Sequence, residues 1–499
     1  MSHIAVLDIG KTNKKVLVYD EGLQVIEQAY ASFPADESGP VHFERIAEQE
    51  AWLLDQLSGI ARRFDIRVIS TTTHGATFVG AGEDGTPALP VIAYTTDPGD
   101  DFRRRFIEQY GDPAELHRRL STPDLGGLVC LGRGIAFARE RYPEQFRRVR
   151  TLLCFPQYFG MFLTGKAAAE CTYLGCHTYL WDFAKRDWSF MVDRMGIRNL
   201  TPPRVGRPGD VLGTVSPDIA RRTGLAPGTL VTCGIHDSNA SLLPFLIQED
   251  APFALNSTGT WCVAMAPTRS TELTADERER NAFLNCDAFA NPVKTTIFMG
   301  GGEHDAWWEE IRKASGAVTY PAFDPALAAP LLAAADAFIF PGVMPGTGPF
   351  PDSRSRIRVK GHVQALEATG KGKAPPVGLK DAPKAYALLN AALAVQTYEQ
   401  LIGVGVTDSM PIFVEGGFRR NDAYCALLAS LFPRSKVLRT NLTEATALGA
   451  ALLGKAALAG RELKQLRADF TIDSAPVEGK PLPGIAAYLK GYRKRVREP

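Results

Sequence analysis

Short apolar runs broken by glycine-bearing turns recur along this chain. Ile4 to Leu7 is apolar, Asp8 to Asn13 is polar, and Val16-Leu17-Val18-Tyr19 returns, which predicts a β-hairpin over residues 3 to 20. Apolar positions at helical spacing across residues 45 to 63 predict an amphipathic helix, and Val68 to Thr73 is rich in β-branched residues and reads as a strand. Leu230 to Ile235 predicts a further strand. Near Phe253 the hairpin pattern returns: Phe253-Ala254-Leu255, a Ser-Thr-Gly-Thr turn, then Trp261-Cys262-Val263-Ala264. Residues 356 to 382, with Thr369-Gly-Lys-Gly-Lys-Ala-Pro-Pro at their centre, read as an exposed loop. Lys384 to Ile402 predicts a long helix with Leu388, Leu389, Ala392, Val395 and Leu401 on its apolar face. Ala445 to Ala459 predicts another, whose alanines and glycines allow close packing on a sheet or a nucleotide. Strands alternating with helices over residues 1 to 245 indicate an α/β fold with helices covering a mixed sheet.

Composition narrows the class. A chain of 499 residues exceeds one comfortable core, so two large domains are expected. Lys+Arg 56 against Asp+Glu 55 leaves a net charge of +1, which argues against a nucleic-acid surface. No apolar run approaches the roughly 18 residues that span a bilayer. Met1 to Asp8 passes directly into a strand, so a cytoplasmic protein with no membrane partner is expected. The eight cysteines form no C-x-x-C pair and lie in apolar contexts, as buried reduced thiols do. Cys171 and Cys176, with His177 beside them, lack the four closely spaced ligands of a structural zinc site, and no metal is expected there.

Three short glycine-bearing segments follow apolar runs: Asp8-Ile9-Gly10-Lys11-Thr12-Asn13, Asn256-Ser257-Thr258-Gly259-Thr260-Trp261, and Glu415-Gly416-Gly417. Each puts small residues and backbone N–H groups where a polyphosphate or a nucleoside could approach. Gly234-Ile235-His236-Asp237 ends an apolar strand in a carboxylate, at the sheet edge where α/β folds bind ligands. Asp237 is a candidate general base, and equally a helix N-cap before Ala240-Ser241-Leu242. Thr73-His74-Gly75-Ala76-Thr77 offers a second histidine, which by itself reads as a satisfied loop residue.

In this order the three segments resemble the phosphate-1, phosphate-2 and adenosine segments of the actin-like ATPase superfold. Over about residues 3 to 460 the chain resembles the FGGY carbohydrate kinases. Thr73 to Thr77 looks like the sugar-contacting segment of xylulose kinases. Gly-x-His-Asp and Ser-x-Gly-Thr-Trp are similar to L-rhamnulose and L-fuculose kinases. The resemblance implies an α/β fold of two actin-like (ribonuclease H-like) ATPase domains with a central interdomain cleft. It divides the chain into residues 1–245 (sugar and base), 246–460 (nucleotide) and a 461–499 extension. It implies an ATP- and Mg²⁺-dependent kinase of a ketose, with L-rhamnulose or L-fuculose first, ribulose, xylulose and polyols next, and a homodimer as a compatible assembly.

The same resemblance gives Asp237 the role of base, and places His74, Gly75 and His236 on the sugar. Asp8 is assigned to Mg²⁺, usually through water, although a turn aspartate bonding its own backbone looks the same. Gly10, Thr12 and Asn13 belong to the first phosphate loop, where Lys11, Lys14 and Lys15 compete for phosphate contact; Lys15 matches a frequent basic position, whereas relatives commonly carry Thr or Ser at 11 and 14. Gly259 and Thr260 form the second loop. Gly301 and Asp305 belong to the helix beneath the nucleotide, and Gly416, Gly417 and Asn421 to adenosine. The acceptor pocket is expected from Thr73 to Thr77, Tyr94 to Asp97, Gln157-Tyr158 and His236, with Gln157 where many relatives have aspartate. Two other classes remain: a non-catalytic actin-like nucleotide-binding protein, and a phosphatase of the same superfold.

Overall fold

The computed structural model describes residues 2–366, 377–479 and 481–498. The hairpin His3–Ile9 and Lys14–Tyr19 forms as the apolar runs predict, because every residue from Ile4 to Ile9 is buried and needs partners on both edges. Its first strand pairs in parallel with Ile66–Thr73, placing Leu7 opposite Thr71 and Ile9 opposite Thr73. The full sheet runs Val211–Thr214, Leu230–Thr232, Ile66–Thr73, His3–Ile9, Lys14–Tyr19, Val25–Ala31. Helix Ile46–Ala61 buries Ile46, Gln49, Leu53, Leu57 and Ile60, one face at helical spacing.

The second sheet repeats this plan. Its hairpin Ala254–Thr258 and Cys262–Pro267 pairs in parallel with Ile412–Gly416, and Phe283–Cys286, Pro292–Phe298, Val437–Thr440 and Ser474–Pro476 extend it. In each half the turn of a hairpin therefore lies beside the C-terminal end of a parallel strand, where loops gather into a site. Helix Ala382–Gly403 is buried nearly all round, deep in the second half.

Helix Ala445–Ala459 crosses between the halves. Its Gly454 abuts Ile4, Val68 and Ser70 of the first sheet, and a side chain at Gly449 would collide with the backbone of Ala240 on helix Asp237–Gln248. Only small residues allow this approach, so a helix encoded late in the chain closes the core of the first sheet. Helix Ile485–Arg495 packs in the second half, where Phe338 lies against Tyr488 and Tyr492.

Two sequence expectations change. Leu230 to Ile235 is not one strand: Gly234 takes φ +91°, and the chain bends between Leu230–Thr232 and Ile235–His236. The bend re-aims the second piece along Ile66–Thr73, pairing Ile235 with Thr72 and His236 with Thr73. Residues 356 to 382 are not all loop, since Arg356–Val359 and His362–Ala365 pair as strands beside Ala337–Phe340. The glycine- and lysine-rich neighbours obscured that short alternation; Thr369 to Pro376 lie outside the described residues.

Candidate functional site

The two halves border a cleft of about 350 Å³. From the first half come Lys11, Lys15, His74, Gly75, Ala76, Tyr94, His236 and Asp237, and from the second Gly259 and Thr260, so these sequence-predicted residues share one space.

At its inner end the rings of His177 and His236 meet with centroids 6.3 Å apart, and His74 lies on the neighbouring strand end. Pairing of His236 with Thr73 sets the two histidine-bearing segments side by side. A Cβ on Gly75 would strike His236 Nε2, so that glycine makes room first for a protein ring. His74 Nδ1 lies 3.0 Å from the Gly75 carbonyl, which assigns its proton there and leaves Nε2 buried without a hydrogen bond among the described residues, 4.0 Å from Glu44 Oε1. Burial lowers the His74 pKa to about 4 and that of His236 to about 3, so both are neutral at pH 7. The Asn239 amide lies 3.4 Å from His236 Nδ1, which puts the His236 proton on Nε2, 3.3 Å from Asp237 Oδ1. His177 joins them on φ +40°, its Nδ1 donating to the Val129 carbonyl at 2.7 Å.

Asp237 opens helix Asp237–Gln248, and the N-cap position belongs to His236, whose side chain caps nothing. Its Oδ1 accepts the Ser238 N–H at 2.6 Å. Although 34 % of its side chain faces solvent, burial pushes its pKa up to about 6, against the lowering pull of the Ser238 bonds. A carboxylate in that range is ionised at neutral pH yet basic enough to take a proton.

The outer end is charged. Lys11 Nζ donates to Glu44 Oε1 at 2.6 Å, and Lys15 Nζ to Glu444 Oε2 at 2.6 Å, with Asp8 Oδ2 at 3.7 Å. Lys14 is fully buried with its Nζ on the Lys11 carbonyl, so of the three lysines only 11 and 15 line the cleft. Burial, offset by Lys15 and reinforced by Asp237 and Glu444, raises the Asp8 pKa to about 7; burial does the same for Glu415. Asp8 and Glu415 thus each lie within the field of Glu444, with Lys15 among them and Asp237 acting on Asp8. Thr443 to Thr446, at the start of helix Ala445–Ala459, adds unpaired N–H groups of the kind that attract anions.

The other expected residues stand around this cleft rather than in its lining. Gly10 sits at the hairpin turn, where a Cβ would press on the Asn13 carbonyl at 2.9 Å, and Thr12 and Asn13 are exposed. Gly301 lets the start of helix Gly300–Ser315 abut Gly259 and Thr260, its N–H reaching the Thr260 carbonyl at 3.2 Å. Gly416 has φ +82° and lies against Thr258, so no side chain fits. Gly417 has room: a Cβ there meets nothing closer than 3.9 Å. Asn421 caps helix Asp422–Leu431 through the Tyr424 N–H and donates to Asn390 at 2.7 Å. Asp305 points to solvent beside His304. Gln157 and Tyr158 are corrected: Gln157 is buried with its amide on the Cys233 carbonyl at 3.0 Å, Tyr158 bonds Glu50, and neither lines the cleft. Gln157 supports the bend at Gly234 instead.

Sequence reasoning missed Glu44 and Glu444, whose lysine partners Lys11 and Lys15 lie far away in the chain, and considered His177 only as a metal ligand beside Cys171 and Cys176 and rejected it. It also missed an aromatic cluster of His304, Trp308, Tyr320, Tyr386 and Phe418, where Tyr320 stacks on Tyr386 at 5.5 Å and 17° and is 55 % exposed.

Residues 3–244 match the family model for the FGGY family of carbohydrate kinases, N-terminal domain, and residues 250–464 that for the carbohydrate kinase FGGY C-terminal domain. Among curated proteins, L-fuculokinase of Salmonella typhi is 26 % identical over 52 % of this chain and 56 % of its own length. Rhamnulokinase of Enterococcus faecalis is 30 % identical over 29 % of each. These matches thus span 56 % and 29 % of the relatives' length. A crystal structure of a carbohydrate kinase from Novosphingobium aromaticivorans superposes with TM-score 0.75 at 27 % identity, covering 99 % of this chain and 98 % of that one. A ligand-bound xylulose kinase from Lactobacillus acidophilus reaches TM-score 0.81 at 14 % identity over 99 % and 97 %, a likeness of fold alone. The two α/β halves around a cleft are the fold of these carbohydrate kinase structures. Among the described residues no helix is long and apolar enough to cross a membrane.

Proposed function

The chain belongs to the FGGY family of carbohydrate kinases, and on that premise we propose that it transfers the γ-phosphoryl group of ATP to a hydroxyl of a ketose. The observation that carries this reading is Asp237, a carboxylate of raised pKa flanked by neutral, buried His74 and His236, in a cleft whose outer end bears Lys11 and Lys15. In this scheme residues 1–245 hold the acceptor and the base, and 246–460 hold the nucleotide. His74 Nε2 accepts from one acceptor hydroxyl, His236 Nε2 donates to another, and Asp237 takes the proton of the hydroxyl that attacks phosphorus. Lys11, Lys15 and the N–H groups of both hairpin turns offset phosphate charge. The crowded carboxylates Asp8, Asp237, Glu415 and Glu444 are hard oxygen donors whose mutual repulsion a cation relieves, a set that fits Mg²⁺. Asp8 would hold it, and the ion would supply further charge neutralisation on the phosphates. Gly416 and Gly417 lie against adenosine, with the exposed Tyr320 face available to the base. A non-catalytic nucleotide-binding role leaves the buried histidines without purpose.

Among ketoses we favour a 6-deoxyketohexose such as L-fuculose or L-rhamnulose. Val129, Cys176, Val263, Phe283 and Ile297 line the cleft near the histidines, an apolar wall suited to a terminal methyl group. ADP release with and without a sugar panel tests the whole reading. ADP should form in proportion to added ketose, with deoxyketohexoses preferred over their 6-hydroxy counterparts by about 10–200-fold in kcat/KM. A preference for ribulose, xylulose or glycerol would move the substrate while keeping the kinase. Phosphate release without any acceptor would point to the phosphatase class.

A further inference from the structure

Cys176, His177 and His236 present one soft ligand atom each at the inner end of the cleft. All three side chains are buried, and their ligand atoms lie within 4.8 Å of one another. We propose that this trio, completed by Asp237, is a binding site for a thiophilic divalent cation of the zinc class, and that occupation of the site excludes the sugar. This goes beyond phosphoryl transfer, since the hard carboxylate cluster around Asp8 would serve the magnesium ion, and a site of two histidines and a thiol selects a softer cation, with Asp237 common to both sets.

Several features point to a ligand. The His177 Nδ1–H is held by the Val129 carbonyl at 2.7 Å, which fixes the tautomer and leaves the Nε2 lone pair free in the cleft. Zinc-bound histidines are oriented by this kind of carbonyl partner. His177 also sits at φ +40°, a conformation held by the Leu131 and Gly132 N–H bonds to the His177 and Thr178 carbonyls. Asp237 Oδ1 stands 3.3 Å from His236 Nε2. Zn–S near 2.3 Å and Zn–N near 2.0–2.1 Å give tetrahedral ligand separations of roughly 3.3–3.8 Å. Side-chain movements of about 1 Å therefore close the set. Spacing along the chain hides the site, because its third ligand arrives on the strand that the Gly234 bend re-aims.

Charge and protons balance simply. The Cys176 thiol loses its proton to solvent and binds as thiolate. The His236 proton moves from Nε2 to Nδ1, and the Asn239 amide, whose Nδ2 stands 3.4 Å from Nδ1, turns to present its Oδ1, partnerless among the described residues, as acceptor, giving up its bonds to the Thr172 carbonyl and Asn285. His177 binds as it stands. Metal so placed occupies His236 and Asp237, the groups that would meet the acceptor.

The test uses the full chain, freed of metal by chelator and titrated with Co²⁺ as a spectroscopic probe. One equivalent should bind with the intense visible bands of tetrahedral cobalt and a thiolate-to-cobalt charge-transfer band, and Zn²⁺ should displace it. Cys176→Ser should lose the charge-transfer band, whereas Cys171→Ser should keep it. His177→Gln, which retains the thiol, should weaken binding by on the order of tenfold or more. Weak octahedral bands alone, a charge-transfer band that survives Cys176→Ser, or unchanged affinity in His177→Gln would each overturn the proposal. None of these readouts needs a sugar or ATP, so failure of the kinase reading leaves them interpretable.

Discussion

The two ends of the cleft solve opposite problems. The inner end is mostly neutral and shielded: burial holds the pKa values of His177 and His236 at about 3 beside Asp237, whose side chain keeps a third of its surface exposed, while His74 borders Glu44 of the other end. The outer end is charged and partly wet, with Lys11, Lys15, Glu44, Glu444, Asp8 and Glu415 in mutual contact or within each other's field. A group that takes the proton has no substitute, whereas charges in a network share their work. Single substitutions should therefore be severe at the inner end and graded at the outer one.

Asp237→Asn is the largest expected break. It keeps the shape and the Ser238 contact but removes the base, and kcat should fall by about 10²–10⁴-fold with ATP binding retained. Near wild-type turnover would reduce Asp237 to a helix-opening residue. In the wild type, kcat/KM measured across pH should fall below about pH 6, because protonation of a base whose pKa is raised to about 6 removes activity as pH drops. A limb near pH 4, the ordinary carboxylate range, would mean that the inner end is not shielded.

Lys15→Met tests the network. The lysine holds Glu444 at 2.6 Å and faces Asp8, so its loss both removes a phosphate partner and leaves carboxylates unopposed. A charge-assisted hydrogen bond is worth about 1.5–3 kcal/mol, which predicts a loss of roughly 10–100-fold in kcat/KM for ATP. The Lys15→Met, Glu444→Gln double variant should recover part of it. A loss equal to that of Asp237→Asn would erase the contrast between the two ends.

Much of this contrast was legible in the chain and much was not. Both hairpins follow from apolar runs and glycine turns, and the His236-Asp237 pair stands at a strand end that can be read directly. The outer network was hidden because Lys15 meets Glu444 only through the helix Ala445–Ala459 crossing onto the first sheet, a tertiary event that local pattern does not encode. The same limit misread Gln157, which looked like a pocket residue yet props the bend at Gly234. Burial, not residue type, tunes His74 and His236, and burial depends on which strands become neighbours.

Two adjacent glycines separate fold from function at the nucleotide side. Gly416→Ala forces a side chain onto Thr258 at φ +82°, and the backbone strain alone is about 1–3 kcal/mol, so thermal stability should drop. Gly417→Val adds a Cβ that meets nothing closer than 3.9 Å and should leave the melting temperature near wild type while raising the KM for ATP about tenfold, the effect of some 1.4 kcal/mol. An equal rise in the KM for sugar would mean that the second change also disturbs the fold.

The smallest effect should come from the most exposed group. Tyr320 stacks on Tyr386 with one face open to solvent, beside the helix that carries Asp305 and His304. Stacking of a base on an aromatic ring contributes about 1–3 kcal/mol, but a half-exposed ring belongs at the low end, so Tyr320→Ala should raise the KM for ATP by roughly fivefold. Tyr320→Phe should restore it, since the ring face and not the hydroxyl does the work. kcat should stay within about twofold, because the base ring lies away from the transferring phosphoryl group. If Tyr320→Ala lowered kcat while leaving the KM for ATP unchanged, the aromatic cluster would not be where the base rests, and the open end of the cleft would have to be sought along the start of helix Ala445–Ala459.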